Sequence, residues 1–134
     1  MNIVLDTNVF VSSLLFRGPA SEVHAAWTAG RFVPLVSKMA LEEYTRVLAC
    51  TKLRLSEAEI GGLLRNELLR YAEPVVVSSR IDAVKDDPAD NRFLELAIDG
   101  RADLVVTGDR HLLDLGSWRG TPIVGVRGFL NRLD

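Results

Sequence analysis

The chain opens on M-N-I-V-L-D-T-N, Met1 to Asn8. Ile3, Val4 and Leu5 run together with no polar alternation. That is the pattern of a strand buried on both faces, as in a parallel sheet covered by helices. Asp6 follows at once, then Thr7 and Asn8. In open parallel sheets ligands sit outside the carboxyl ends of the strands, so a carboxylate released there is placed for chemistry. The same aspartate is also a good N-cap for a following helix. The octapeptide alone leaves both readings open.

The pattern returns near the other end of the chain, where Ala102-Asp103 leads into L-V-V-T-G-D, Leu104 to Asp109. Parallel strands finish on one edge of their sheet, so Asp6 and Asp109 would share that edge. Between them, Val9 to Leu15 reads as helical, and Ala20 to Ala29 as a second helix stopped by Gly30. Phe32 to Val36 is a short β-like run. Ser37 suits the N-cap of a helix over Lys38 to Ala49. Ser56 followed by Glu59 forms a capping-box pattern in the helical region Leu53 to Arg70. That region places Ile60, Leu63, Leu64, Leu68 and Leu69 on its apolar side, and Gly61-Gly62 weakens its first turns. Pro74 to Val77 reads as another buried strand. In Lys85 to Ala97, Asp87 suits an N-cap, Pro88 the first helical position and Asp90 the third. Arg110 to Leu115 is a helical turn, Pro122 to Val126 a last strand and Arg127 to Leu133 a terminal helix. Five strand-like runs alternating with helices predict an α/β fold with helices on both faces of a mostly parallel sheet.

The totals narrow the function. A chain of 134 residues fits one domain over 1–134. Its net charge of −2 gives no global positive field for nucleic acid, so such a role needs a local cluster of Lys and Arg. The lone Cys50 excludes an internal disulfide and fits a reducing compartment. It lies in a helix-like stretch and reads as a packing residue. His24 has no second His or Cys at metal spacing and reads as structural. With no signal-like start and no apolar run of the ~18 residues a membrane span needs, the expectation is a cytoplasmic protein without membrane attachment.

The helix after Ser37 is asymmetric. Ala40, Leu41, Tyr44, Val47 and Leu48 make one apolar face. Glu42 points away from it and is spaced to pair with Arg46 at i, i+4. Glu43 sits at the edge of the apolar face, either reaching water at the rim or compensated by a cation or metal. Asp90 joins Asp6 and Asp109 if the strand before it belongs to the same sheet; the alternative is that Asp87 and Asp90 only start a helix. Convergence of such acids is costly. At ~4 Å and an effective dielectric of ~20, each like-charged pair is disfavoured by about 4 kcal/mol. Either pKa values rise or divalent cations bind. An all-oxygen donor set selects Mg²⁺ or Mn²⁺ over Zn²⁺. Such ions activate water and neutralise charge developing on a phosphate, which makes phosphodiester hydrolysis the natural reaction class.

Four pieces of sequence carry a resemblance: L-D-T-N at Leu5 to Asn8, Glu43 within S-K-M-A-L-E-E-Y-T-R-V-L, D-P-A-D-N-R-F-L-E-L-A from Asp87, and A-D-L-V-V-T-G-D-R-H-L-L from Ala102. In this order and spacing they resemble the PIN-domain ribonucleases, and among these the VapC-like toxins of bacterial toxin–antitoxin pairs. The resemblance covers essentially the whole chain. It implies a three-layer α/β/α PIN-like domain with a central sheet of about five strands, and Mg²⁺- or Mn²⁺-dependent cleavage of RNA. Carried over position by position, the catalytic and metal-holding acids fall on Asp6, Glu43, Asp90 and Asp109. Thr7, Asn8, Asp87 and Thr107 fall in supporting places, and Arg110 is a candidate contact to substrate phosphate. The resemblance also implies a small antitoxin partner and a homodimer. Its alternative is a catalytically weak or inactive PIN-fold protein that binds nucleic acid or regulates.

Phosphotransfer folds fit less well. A dehalogenase-like enzyme wants a second Asp two residues beyond the first, where Asn8 stands. A response regulator wants a Lys after a late strand, and none follows Val106 or Val126. Single-stranded DNA or a flap structure is a rival substrate for the same nuclease chemistry.

Overall fold

The structure, a computed structural model, describes residues 1–82, 84 and 88–134. The opening run forms β1 (Asn2–Leu5), and Ile3, Val4 and Leu5 are essentially inaccessible to solvent. β1 is central. It pairs in parallel with β2 (Val33–Val36) on one side and β4 (Leu104–Val106) on the other, with Ile3 opposite Leu104 and Leu5 opposite Val106. The full order is β3-β2-β1-β4-β6-β5, where β3 is Glu73–Pro74, β5 is Ser117–Trp118 and β6 is Thr121–Val124. All pairs are parallel except β5 with β6.

Helices flank this sheet as the alternation predicts. α1 (Thr7–Leu15) packs between α2 (Pro19–Thr28) and α3 (Lys38–Leu48). α4 (Glu57–Leu63) begins with the expected capping box and runs on as a π-helical turn, Leu64–Leu69. α5 (Pro88–Asp99) lies on β1, β2 and β4. α6 (Arg110–Leu115) and α7 (Val126–Leu133) complete the chain, α7 closing against α2. An aromatic column crosses the core. Phe10 stacks on Trp27 at 6.1 Å and on Tyr44 at 4.2 Å, and Tyr44 faces Phe93 at 6.1 Å. Each such pair adds ~0.5–1.5 kcal/mol beyond area burial. Trp27 donates its indole N–H to the Glu67 carbonyl at 2.7 Å. His24, set edge-on to Trp27 and 3.1 Å from Glu67, is structural as expected.

A rail of polar side chains on α5 holds the chain that precedes it. Asn91 both accepts from the Val84 N–H and donates to the Val84 carbonyl, imitating a strand partner. Glu95, buried, accepts from the Ile81 N–H at 2.8 Å, and Asp99 accepts from the N–H groups of Ser78 and Ser79. These positions recur every four residues, so they share one stripe of the helix. The stripe satisfies backbone groups that no sheet neighbour reaches.

The expectation of about five strands is met closely, since among the described residues the sheet has six, Ser117–Trp118 folding back on β6. The two-residue link places Arg119 and Gly120 at φ 48° and 87°, the geometry of a hairpin turn that usually advertises itself as Asn-Gly. Other expectations are corrected. β3 ends at Pro74, because after Val75 donates its N–H to the Val36 carbonyl the chain leaves the edge. Val76 is 95% exposed. Leu69 is exposed while Leu68 is buried, since the π-helical turn rotates it out of the apolar stripe. Cys50 is exposed, at the link after α3, and packs no core. Asp87 lies outside the described residues.

Gly100 follows α5 where a side chain has no room. A Cβ there would meet the Leu35 Cδ1 at 2.8 Å and the Leu96 carbonyl oxygen at 2.9 Å. The carbonyl belongs to the helix and cannot yield. Gly100→Ala is expected to cost about 1–3 kcal/mol through overpacking, read as a lower urea midpoint with an unchanged slope.

Candidate active site

The carboxyl edge of the sheet releases the sequence-predicted residues together. β1 ends in Asp6, whose N–H is held by the Val106 carbonyl at 3.1 Å, so the ends of β1 and β4 are locked side by side. Asp6 is buried and splits its two oxygens between two tasks. Oδ1 caps α1 by accepting from the Val9 N–H at 2.9 Å. Oδ2 accepts from the Thr107 hydroxyl. The capping reading of the octapeptide therefore holds, and the second oxygen is left to a partner from the neighbouring strand end. Thr107, fully buried beyond β4, also accepts from the Asp109 N–H at 2.9 Å. Asp109 repeats the economy of Asp6, capping α6 through Oδ1 with the N–H groups of His111 and Leu112.

A hollow of about 140 Å³ opens over these groups. Its walls include Asp6, Thr7 and Asn8 from the β1–α1 turn, Glu43 and Arg46 from α3, Asp90 and Phe93 from α5, and Asp109. Four carboxylates from four separate segments thus face one space. Glu43, the acid at the edge of the apolar face, does lean over the sheet edge. Its compensation is a cation: Arg46 forks onto both Glu43 oxygens at 3.2 and 3.0 Å. This replaces the expected pairing of Arg46 with Glu42, because i, i+3 and i, i+4 neighbours are both within reach on a helix. Asp90 is buried in the first turn of α5, where the helix dipole favours a negative charge. Arg110 is exposed beside Asp109 and is not among the residues that wall the hollow.

The electrostatics follow from burial. Desolvation pushes the Asp6 carboxyl above its ordinary value, and the charge of Asp109 pushes the same way. The Thr107 hydroxyl and the N–H groups of Val9 and Gly108 pull back. Behind Asp6, Tyr44 is buried and donates its hydroxyl to the Leu5 carbonyl at 2.5 Å. Burial, and secondarily the negative Asp6, raise the Tyr44 phenol well above its usual range, so it stays a neutral donor. Sequence reading assigned Tyr44 to the apolar face alone and gave Arg46 no place in the site. A buried tyrosine needs a partner for its hydroxyl, which was the available hint for the first.

The donor set suits a hard divalent cation, since the acids in the hollow offer only oxygen. In the arrangement described, Glu43 is taken up by Arg46. Among the described residues no three His, Cys, Asp or Glu side chains are gathered closely enough to hold a metal ion. Among the described residues no helix is long and apolar enough to cross a membrane.

The fold has close counterparts. PAE2754 from Pyrobaculum aerophilum superposes with a TM-score of 0.63 at 17% identity, over 99% of this chain and 89% of that one. FitAcB from Neisseria gonorrhoeae gives 0.56 at 13% identity, over 93% and 98%. None of the curated protein sequences is significantly similar to the chain. The family model described as PIN domain matches residues 2–111. With the parallel sheet and the acid-lined edge just described, the chain belongs to the PIN-domain family.

Proposed function

We propose that the protein is a divalent-metal-dependent endoribonuclease, the toxin component of a toxin–antitoxin pair. The observation that carries this reading is the convergence of Asp6, Glu43, Asp90 and Asp109 on one hollow at the carboxyl edge of the sheet. The resemblance of L-D-T-N, D-P-A-D-N and T-G-D to VapC-like toxins supports the substrate and the cellular role, with a small antitoxin as partner and a homodimer as the assembly. Asp6, Glu43, Asp90 and Asp109 would hold Mg²⁺ or Mn²⁺, which when bound supplies a polarised water and charge neutralisation at the phosphate.

The chain's own groups prepare that chemistry. Thr107 and the Val9 N–H fix the Asp6 carboxylate so that it does not have to be ordered on binding. Thr107 holds Asp109 through its N–H, and the α6 cap holds it through its side chain. Arg46 orients Glu43 at the mouth. Thr7 and Asn8 shape the wall next to Asp6.

The test is cleavage of a panel of structured RNAs with Mg²⁺ or Mn²⁺, with EDTA controls and matched single-stranded DNA. Cleavage of RNA that stops in EDTA, and that falls by ~100-fold or more in Asp90→Asn, is expected, since even partners that only orient ligands cost 10–100-fold. Full activity in Asp90→Asn, or cleavage indifferent to chelator, would sink the assignment.

A further inference from the structure

The acid hollow is the smallest of a chain of depressions over α3. The largest, about 670 Å³, is walled by the start of α3 (Ser37, Lys38, Met39, Glu42), by Val75–Val77 and Arg80, and by Arg92 and Glu95 of α5. A second, of about 440 Å³, is walled by Lys38, Leu41, Glu42, Thr45 and Arg46. Lys38 and Glu42 belong to both of these, and Arg46 belongs to the second and to the acid hollow. The three depressions are therefore neighbours around α3.

Their charge is unlike that of the whole protein. Among the described residues, Lys38, Arg80 and Arg92 stand across the two larger depressions against Glu42 and Glu95, with Arg46 already forked onto Glu43, in a chain whose net charge is −2. Glu95 is buried, with Arg92 at 3.0 Å and Arg80 at 3.8 Å, and so fixes where the two guanidinium groups stand. Arg80 remains 71% exposed at its side chain, and Lys38 is exposed. This is the local cationic cluster that an acidic protein needs if it is to bind nucleic acid. The apolar wall of Met39 and Val75–Val77 offers the bases a surface, while the cations meet phosphates.

We infer that Arg80, Arg92 and Lys38 mark the track of a single RNA strand, which runs over α3 and delivers its phosphodiester to the acid hollow. The inference deepens the nuclease reading by naming the residues that hold the strand away from the cut. Phosphate contacts of this kind act without regard to sequence and release counterions, so log affinity falls with log salt by about 0.7 per contact on single strands.

The experiment measures binding of a fluorescein-labelled single-stranded RNA oligonucleotide by anisotropy, in EDTA so that nothing is cleaved, across a salt series. Lys38→Ala and Arg80→Ala are each expected to weaken binding several-fold and to lower the salt slope by about 0.7. Both side chains are exposed, so circular dichroism melting should match the wild type. Arg127→Ala and Arg132→Ala, exposed cations on α7, should leave affinity and slope unchanged. Equal loss in all four variants would reduce the effect to general charge and overturn the track, as would no change in Lys38→Ala and Arg80→Ala. Loss of poly-glutamate binding in those two, with RNA binding intact, would give the groove to an acidic protein segment instead. Because the assay contains no metal, the track and the nuclease reading fail separately: cleavage can be absent with the track upheld, and the reverse.

Discussion

Asp6→Asn is expected to silence metal-dependent RNA cleavage by ~100-fold or more while making the metal-free protein harder to melt. The two effects have one cause. Asp6 is buried among the ends of β1 and β4, and desolvation raises its carboxyl above the ordinary value. A carboxylate raised in this way ionises against the preference of its surroundings. The unfolded chain ionises it without cost, so burial of the charged form subtracts from stability. The subtraction is absent below the ordinary carboxylate pKa, where folded and unfolded chains both carry the proton. It grows as pH rises through the folded value and is complete above it. Asparagine keeps an oxygen for the Val9 N–H and removes the charge, so the variant should gain a few degrees in Tm near pH 7.5, and the gain should narrow towards pH 4. Melting curves in EDTA at the two pH values measure this. A variant that melts below the wild type at pH 7.5 would show that the carboxylate's bonds to Thr107 and Val9 outweigh its burial cost. Stability given up at a single buried charge is a common signature of a functional site.

The site was legible in the sequence where chemistry and local structure ask for the same residue. Asp6 and Asp109 each follow an apolar strand and each precede a helix, so strand pattern and capping rules find them independently. Capping uses one oxygen of each carboxylate, so it does not compete with the candidate site for the other. Glu43 was visible from its place on the helical wheel, and the structure turns that place into a wall of the hollow. Arg46 was assigned to the wrong neighbour, since a helix offers it Glu42 and Glu43 at nearly equal distance and only the tertiary setting chooses. The rail of Asn91, Glu95 and Asp99 was missed for a related reason. Polar residues every four positions look like a solvated face until an irregular segment is laid along them. The β5–β6 hairpin was hidden because Arg119 takes the left-handed turn position that glycine or asparagine would have announced. Local rules failed where a partner distant in sequence supplied the reason.

Tyr44 joins the core to the site, and its substitutions should separate the two contributions. Tyr44→Ala removes the middle of the aromatic column between Phe10 and Phe93. Truncation of a fully buried aromatic costs about 3–5 kcal/mol, against a total of roughly 5–15 kcal/mol for a typical domain, so soluble, cooperative folding should be lost or nearly lost. Tyr44→Phe keeps the ring and deletes only the donor to the Leu5 carbonyl. A buried carbonyl deprived of its partner costs about 1–3 kcal/mol, read as a lower urea midpoint. The Leu5 carbonyl belongs to the peptide bond that enters Asp6, so its loosening should also reach the reaction. The expected form is a drop in kcat of roughly tenfold, the low end for a residue that orients a ligand, with KM little changed because Tyr44 does not wall the hollow. Burial keeps the phenol protonated throughout the working range, so the ratio of wild-type to Tyr44→Phe rates should be flat between pH 6 and 10. A ratio that climbs with pH would mean that the phenol itself titrates and takes part in proton transfer, and a Phe variant as stable and as fast as the wild type would reduce Tyr44 to a filler of the core.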